Sequence, residues 1–128
     1  MKKIPDNLLY HPEHAWARVE GDICTVGITD FAQDELGEII FVDLPAVGKI
    51  VKTGKPFGTV ESAKSVSDLF SPVDGEVIEF NAALPDAPEK INDDPYGEGW
   101  MIKVRLSAKP DTKILLSAHD YKILIEAV

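Results

Sequence analysis

The sequence predicts a mainly β protein, an all-β sandwich or small barrel with a few short helices. Short runs rich in Val, Ile, Phe and Thr recur between turn signals, and a four-residue motif occurs twice. The chain has 128 residues. A chain of this length buries roughly 65–70% of its unfolded surface without metal or disulfide support. We therefore expect residues 1–128 to form a single domain.

Five runs have the composition of strands, because β-branched and aromatic side chains fit a pleated, half-buried surface. They are Ile23 to Ile28, Ile39 to Leu44, Phe57 to Glu61, Glu76 to Phe80 and Trp100 to Leu106. Glycine and proline residues scattered between the runs act as turn signals. Short strands at this spacing are typical of a sandwich or barrel.

Two peripheral segments break the strand pattern and predict short helices. Thr29 is suited to cap a helix that runs to Leu36, and Gly37 is placed to end it. A brief helical turn is expected near Glu89 to Ile91, after a proline.

The C-terminal segment, about 111–126, also has helical character. Its apolar residues are spaced for a helix but are interrupted at Ser117, whose hydroxyl is suited to cap a helix with Asp120 in its first turn. We expect one or two helices here, packed over the sheet.

An internal repeat suggests a duplicated half-domain. Gly37 to Ile40 returns as Gly75 to Ile78, and each copy is followed by Leu-Pro, at Leu44-Pro45 and Leu84-Pro85. Two copies are consistent with a pseudo-twofold arrangement of halves. Because the match is short, chance similarity between two strand starts is the alternative.

Composition excludes several classes of partner. The chain has 13 Lys+Arg against 22 Asp+Glu, whereas nucleic acids and anionic membranes are bound by clustered basic residues. No apolar stretch approaches the roughly 18 residues of a membrane span, and the N-terminus lacks a secretory signal. The single cysteine permits no internal disulfide. We expect a cytoplasmic protein that binds neither nucleic acid nor membrane.

The sequence has no recognisable catalytic apparatus, since it contains no nucleophile elbow, phosphate loop or zinc signature. Cys24 lies in an apolar strand run, where a buried thiol is inert. His11 and His14 flank Glu13 without a second pair of ligands at fixed spacing, so we expect no metal site. The chain is predicted not to be an enzyme.

Lys64 is the residue with the most unusual surroundings. Strand residues Val60 and Val66 flank a turn in which its neighbours are small: Ser62, Ala63 and Ser65. A lysine amine is mostly protonated at neutral pH and is a poor nucleophile. The ordinary interpretation of a lysine at a hairpin tip is therefore a solvated surface residue, and any chemical role for Lys64 would be attachment of a group and not catalysis.

Several segments together resemble the H protein family of the glycine cleavage system. They are residues 26–33, 36–45, 58–68, 71–77 and 99–104, and the likeness extends from about Tyr10 to Tyr121. The resemblance implies a lipoyl carrier, with the flattened antiparallel sandwich of two related halves that lipoyl and biotinyl carriers share. Lys64 matches the lysine to which lipoate is joined as an amide.

The resemblance also implies the partners. A lipoate ligase or a lipoyl/octanoyl transferase attaches lipoate. Glycine decarboxylase, the P protein, loads an aminomethyl group. The aminomethyltransferase, or T protein, passes its carbon to tetrahydrofolate, and dihydrolipoyl dehydrogenase, the L protein, reoxidises the dithiol. The carrier itself is expected to be a monomer that visits each enzyme.

One position departs from the family pattern. Members often have His-Glu-Trp near the N-terminus, with the glutamate lining a cleft that shelters the loaded arm, but this chain has Ala15 there. Glu13 is a candidate substitute, and Asp68 matches an acidic position after the modified lysine. Beside Lys64, Glu61 and Ser62 are candidate recognition residues.

Other lipoate and biotin carriers fit less well. Biotin carriers usually have methionines beside the lysine, where this chain has Ala63 and Ser65. Lipoyl domains of 2-oxoacid dehydrogenases favour aspartate before the lysine. A nearer alternative is an H-like protein that relays lipoate to other enzymes or serves another lipoate-dependent redox pathway. The last is a binding protein whose Lys64 stays unmodified.

Overall fold

The computed structural model describes residues 2–127, which form nine strands and three helices. The strands are β1 (Leu9–Tyr10), β2 (Ala15–Glu20), β3 (Ile23–Ile28), β4 (Ile39–Asp43), β5 (Ile50–Val51), β6 (Pro56–Ser62), β7 (Val66–Phe70), β8 (Gly75–Phe80) and β9 (Ile102–Leu106). The helices are α1 (Asp30–Leu36), α2 (Lys90–Asp93) and α3 (Ala118–Glu126).

The strands pair into two antiparallel sheets, which share one apolar core. The larger sheet has the order β1-β2-β3-β9-β8-β5, and the smaller has the order β4-β6-β7. Buried residues of both sheets, such as Val26 and Val60, belong to the same core cluster. Within residues 2–127 neither sheet closes on itself. The sandwich prediction is therefore confirmed, and the barrel alternative is wrong.

The five predicted strands are all present, with bounds within two residues of the prediction. The prediction missed β1, β2 and β5, and it indicated β7 only by Val66, after the Lys64 turn, without giving its bounds. Two of the three missed strands have only two residues each, which is too short for a periodic pattern. The third, β2, reads Ala-Trp-Ala-Arg-Val-Glu, and its three apolar or small leading residues are all buried instead of alternating.

The two copies of the repeat form the same local structure. In the pairing of β4 with β6, Ile40 is skipped between the paired residues Ile39 and Phe41. In the pairing of β8 with β9, Ile78 is skipped between Val77 and Glu79. Ile40 and Ile78 are equivalent in the two copies. A shared β-bulge is a built-in feature of a strand, so the two halves are structurally related.

Helix α1 begins and ends where the sequence predicts. The Thr29 side chain accepts a hydrogen bond from the Ala32 N–H at 3.2 Å. Gly37 adopts φ 80°, and its N–H donates to the Gln33 carbonyl. Helix α2 lies at the predicted turn. In the described part of the chain, no helix has the length and apolarity needed to cross a membrane.

The C-terminal segment contains one helix, α3, which Ser117 caps by accepting from the Asp120 N–H at 3.2 Å. Residues 111–116 are turn and extended chain. The reason is a β-bridge, in which Leu116 and Tyr10 exchange both backbone hydrogen bonds at 2.7 and 2.9 Å. This bridge draws the segment onto β1 and delays the helix to Ala118.

Tyr121 anchors α3 to the rest of the molecule. Its ring stacks on Tyr10, with centroids 4.7 Å apart. Its hydroxyl lies 2.7 Å from Thr29 Oγ1 and 2.8 Å from His14 Nδ1. Burial raises the pKa of Tyr121, so the phenol remains protonated and able to donate.

Removing this hydroxyl is expected to destabilise the fold. Tyr121→Phe keeps the stacked ring but leaves the buried Thr29 hydroxyl proton without an acceptor and His14 Nδ1 without its partner, which costs about 1–3 kcal/mol of unfolding free energy. Urea unfolding measures this loss. Lys122→Ala, an exposed change on the same helix, serves as the control and should stay within about 0.5 kcal/mol of the wild type. Equal stabilities for all three proteins would contradict this role of the hydroxyl.

Candidate functional site

Lys64 stands at the tip of the hairpin that joins β6 to β7. The Ser62 N–H donates to the Ser65 carbonyl at 2.8 Å. The Ser62 hydroxyl, which is 6% exposed with its residue, accepts from the N–H groups of Ser65 at 3.3 Å and Lys64 at 3.4 Å. A serine side chain that satisfies the backbone in this way holds a tight turn. Ser62 thus supports the tip from below while Lys64 remains exposed.

The Lys64 side chain lies across the C-terminal end of α1. A Cβ atom at Gly37 would stand 3.6 Å from Lys64 Cε and 4.0 Å from Nζ. The partial negative charge at a helix C-terminus favours a cation there. In residues 2–127 no carboxylate lies within salt-bridge distance of Lys64 Nζ. The amine is therefore placed beside the helix end without being held by an ion pair.

A cleft of about 440 Å³ lies between α1 and β7. Its volume is in the range of about 300–1,000 Å³ that is usual for small-molecule sites. Phe31, Ala32 and Leu36 of α1 form an apolar wall, since they lie on one face of the helix. The carboxyl-bearing residues that line the cleft are Glu13, Glu35 and Asp68. The site therefore combines apolar surface with acidic groups, which suits an apolar chain that ends in a cation.

The structure brings two of the candidate residues together in this cleft. Glu13 lines it from the loop before β2, and Asp68 lines it from β7. Glu61 lies elsewhere, in β6 opposite Val66 and Phe41, so it faces outward beside the hairpin. Ser62 lies under the tip. Of the four candidates, Glu13 and Asp68 therefore line the cleft, whereas Glu61 and Ser62 lie in the hairpin.

His14 is a lining residue that sequence reasoning did not assign to the cleft. It adopts φ 72°, a conformation that is uncommon for residues other than glycine. Two hydrogen bonds hold its backbone: its N–H donates to the His11 carbonyl at 2.8 Å, and its carbonyl accepts from the Thr29 N–H at 3.0 Å. Burial lowers the pKa of His14, so the imidazole is neutral at physiological pH.

The two nearby histidines have separate partners. His11 Nδ1 accepts from the Glu13 N–H at 3.0 Å, whereas His14 Nδ1 contacts the Tyr121 hydroxyl. Among residues 2–127 no group of three or more His, Cys, Asp or Glu side chains is arranged to hold a metal ion. Cys24 is fully buried in the core, which confirms its predicted core position, and burial raises the pKa of its thiol to about 12.

Comparison with known proteins decides the family. Residues 8–128 match the family described as Glycine cleavage H-protein. The chain belongs to this family. It is 58% identical over 126 residues to the glycine cleavage system H protein of Rubrobacter xylanophilus, covering 98% of both chains. The H protein of Bacteroides fragilis is 51% identical over 124 residues, covering 97% of this chain and 98% of its own length.

A solved structure agrees with the fold. The crystal structure of a glycine cleavage system H protein from Mycobacterium marinum superposes with a TM-score of 0.88 at 40% identity. It covers 96% of this chain and 99% of its own. The resemblance drawn from the sequence motifs is confirmed, and so is the sandwich that the resemblance implies.

Ala15 lies at the position where family members often have a glutamate. It is buried at 2% exposure, and the two residues before it, Glu13 and His14, line the cleft instead.

Sequence reasoning did not assign Glu35 or His14 to the cleft, and the reasons differ. Glu35 lies four residues after Phe31, so both side chains project from one face of α1. That spacing was visible in the sequence. The contact of His14 with α3 was not.

Acidification is expected to destabilise the protein through the half-buried ring of His14. Because burial lowers the pKa of His14 below the usual 6.5, the unfolded chain binds the proton more tightly than the folded one. This contribution to stability is complete above pH 6.5 and is lost as the pH falls through the lowered pKa. Urea unfolding at about pH 7.5 and about pH 5.5 should show the loss.

His14→Gln should lose less stability than the wild type over the same interval, since the titrating ring is absent. His119→Gln, on the exposed side of α3, is the matched control and should follow the wild type. An equal pH dependence in the wild type and in His14→Gln would show that His14 is not the group responsible.

Proposed function

We infer that the protein is a carrier that bears lipoate as an amide on Lys64 and moves the aminomethyl group of glycine between enzymes. The observation that carries this proposal is the pairing of an exposed hairpin lysine with an adjacent cleft, in a chain of the Glycine cleavage H-protein family. The protein has no catalytic role in this proposal. It presents a group on which partner enzymes act.

The hairpin supports the attachment step. Lys64 and its neighbours Ala63 and Ser65 are exposed, so a lipoate ligase or a lipoyl/octanoyl transferase can reach the amine. The hydrogen bonds of Ser62 keep the turn in one conformation, which lowers the entropy lost when an enzyme binds it. Glu61, outward-facing on β6, is proposed as a contact for the attaching enzyme.

The cleft supports the sheltering step. A lipoyl arm is a hydrocarbon chain that ends in two sulfur atoms, and the α1 wall of Phe31, Ala32 and Leu36 offers it apolar surface. Once loaded, the arm also carries an amine that is cationic when protonated. Glu13 and Asp68 are proposed to accept hydrogen bonds from that amine, with Glu13 taking the role that Ala15 cannot fill.

The carrier design explains how one small protein serves several enzymes. A tethered group has an effective concentration of about millimolar near its anchor. The proposed partners are glycine decarboxylase, the aminomethyltransferase and dihydrolipoyl dehydrogenase, each visited in turn by a single-domain monomer. When lipoate is attached, the positive charge of Lys64 is lost and the already acidic surface becomes more negative.

Attachment at Lys64 is tested by mass. Incubation with a lipoate ligase, lipoate and ATP should add one lipoyl group, and peptide mapping should place it on Lys64. A parallel biotinylation reaction should add nothing. Lys64→Arg should abolish the addition, whereas Lys55→Arg, another exposed lysine, should not. If the folded wild-type protein is modified by none of the lipoylating enzymes tried, the carrier proposal is wrong.

Sheltering is tested by the lifetime of the loaded arm. Glu13→Ala combined with Asp68→Asn should shorten, by about tenfold or more, the time before ammonia and formaldehyde are released, because hydrogen bonds to a charged group are worth about 1.5–3 kcal/mol each. The control is Glu20→Ala with Asp22→Asn, which makes the same change of charge at exposed positions outside the cleft. An unchanged lifetime in the Glu13 and Asp68 variant would remove these residues from the proposal.

Glycine cleavage is separated from lipoate relay by a glycine exchange assay. The lipoylated protein, mixed with glycine decarboxylase, should support exchange between the glycine carboxyl group and bicarbonate. Lipoylation without exchange would favour a protein that serves other lipoate-dependent enzymes.

A further inference from the structure

The imidazole of His14 is held from two sides in the cleft wall. Its Nδ1 lies 2.8 Å from the buried Tyr121 hydroxyl. Its ring packs against Phe31 of α1, with centroids 4.9 Å apart. With its backbone fixed as well, the ring has one orientation, and that orientation decides what its second nitrogen can contact.

A count of protons assigns the tautomer of His14. Thr29 is 0% exposed, and in the described chain its hydroxyl contacts only the Ala32 N–H, which donates to it, and the Tyr121 hydroxyl. The Thr29 proton therefore goes to the Tyr121 oxygen. The Tyr121 proton then goes to His14 Nδ1. In this assignment every buried hydroxyl proton has an acceptor, as buried polar groups require.

The remaining proton of the neutral ring is on Nε2. Within residues 2–127 every fully buried side-chain nitrogen or oxygen has a partner, and no partner contacts His14 Nε2. That atom is therefore accessible to solvent, and His14 lines the cleft. His14 thus offers the cleft an N–H donor, on a wall where the titratable side chains Glu13, Glu35 and Asp68 offer acceptors.

Distances along α1 indicate which part of the arm His14 meets. Lys64 lies at the end of α1, beside Gly37, whereas His14 lies at its start, beside Thr29 and Phe31. Seven helical residues span about 10 Å. In a lipoyl arm the nearer sulfur is about seven bonds beyond Nζ, or about 8 Å when extended. The sulfur end of the arm, and not its amide, reaches His14.

The geometry points to His14 as a hydrogen-bond donor, through its Nε2–H, to a sulfur atom of the bound arm. This inference rests on the proposed function, since it requires lipoate on Lys64. An N–H donor stabilises a thiolate relative to a thiol. The cleft otherwise disfavours a thiolate, because Glu13, Glu35 and Asp68 carry the same sign of charge. The remaining titratable neighbours are His11, on the same loop, and Tyr121, which holds the ring.

Nitrogen-15 NMR of the His14 ring tests the contact directly. The unmodified protein should show a neutral ring with the proton on Nε2, and a proton on Nδ1 would overturn the proposal. The Nε2–H resonance should then shift in the reduced lipoyl protein and in the aminomethyl-loaded protein. The octanoylated protein is the matched control, because its arm has the same amide and a similar chain but no sulfur.

The same shift in the octanoylated protein would mean that His14 contacts the amide or the chain, and no shift in any form would mean no contact. Either result overturns the proposal. The mass of each sample is measured first. A chain that accepts no lipoyl group overturns the proposed function as well, and is recognised separately by this measurement.

Two substitutions test the consequence for the thiols. The side-chain amide of Asn is as many bonds from Cα as the Nδ1 atom of His. His14→Asn therefore retains a partner for the Tyr121 hydroxyl, but it removes the Nε2–H donor from the cleft. The side-chain amide of Gln is as many bonds from Cα as the Nε2 atom of His, so His14→Gln restores an N–H donor to the cleft. The thiolate absorbance of the reduced arm should titrate higher in His14→Asn, by about half a pH unit or more, and near the wild type in His14→Gln. Identical titrations in all three proteins would contradict the proposal.

Discussion

The Tyr121 hydroxyl is the interaction on which the site depends most. It is buried between the C-terminal helix and the larger sheet, and it contacts the Thr29 cap of α1 and the ring of His14. Thr29 begins the helix that forms one wall of the cleft, and His14 lies in another part of that wall. A single hydroxyl therefore fixes two lining elements relative to each other. The C-terminal helix, distant in sequence from the lysine hairpin, thus takes part in shaping the cleft.

In the proposed role, the two halves of the sandwich supply the frame to which the lipoyl arm is attached. Equivalent bulges at Ile40 and Ile78 show that the two halves are built in the same way, and the β6–β7 hairpin lies between the two repeats in the sequence. Its tip is held by Ser62 and presents Lys64 outward. The frame needs no catalytic group, because in the proposed role the chemistry belongs to the attached arm and to the enzymes that it visits. What the frame provides is a fixed point of attachment and a nearby cleft.

Sequence patterns predicted most of the fold and, in the candidate site, the hairpin that carries Lys64. Strand runs such as Ile23–Ile28 were predictable because a strand's composition is local, and α1 was predictable because Thr29 and Gly37 are local cap signals. The segment 111–116 escaped prediction because its conformation depends on pairing with Tyr10, about a hundred residues away. His14 escaped for the same reason, since its partner is Tyr121. Structure that depends on residues adjacent in sequence can be predicted from the sequence, whereas a contact between distant residues does not change the local pattern and is missed.

By itself the sequence determined the β class, the repeat, the exposed lysine between small residues and the family. Each of these is a property of residue order, and residue order is what sequence patterns record. The tertiary structure decided that the sheets pack as an open sandwich, that Glu13, Glu35 and Asp68 meet around one cleft, and that His14 faces it with a defined ring orientation. These features arise from contacts between distant segments, because the free energy of packing selects one arrangement among many that the same local patterns allow.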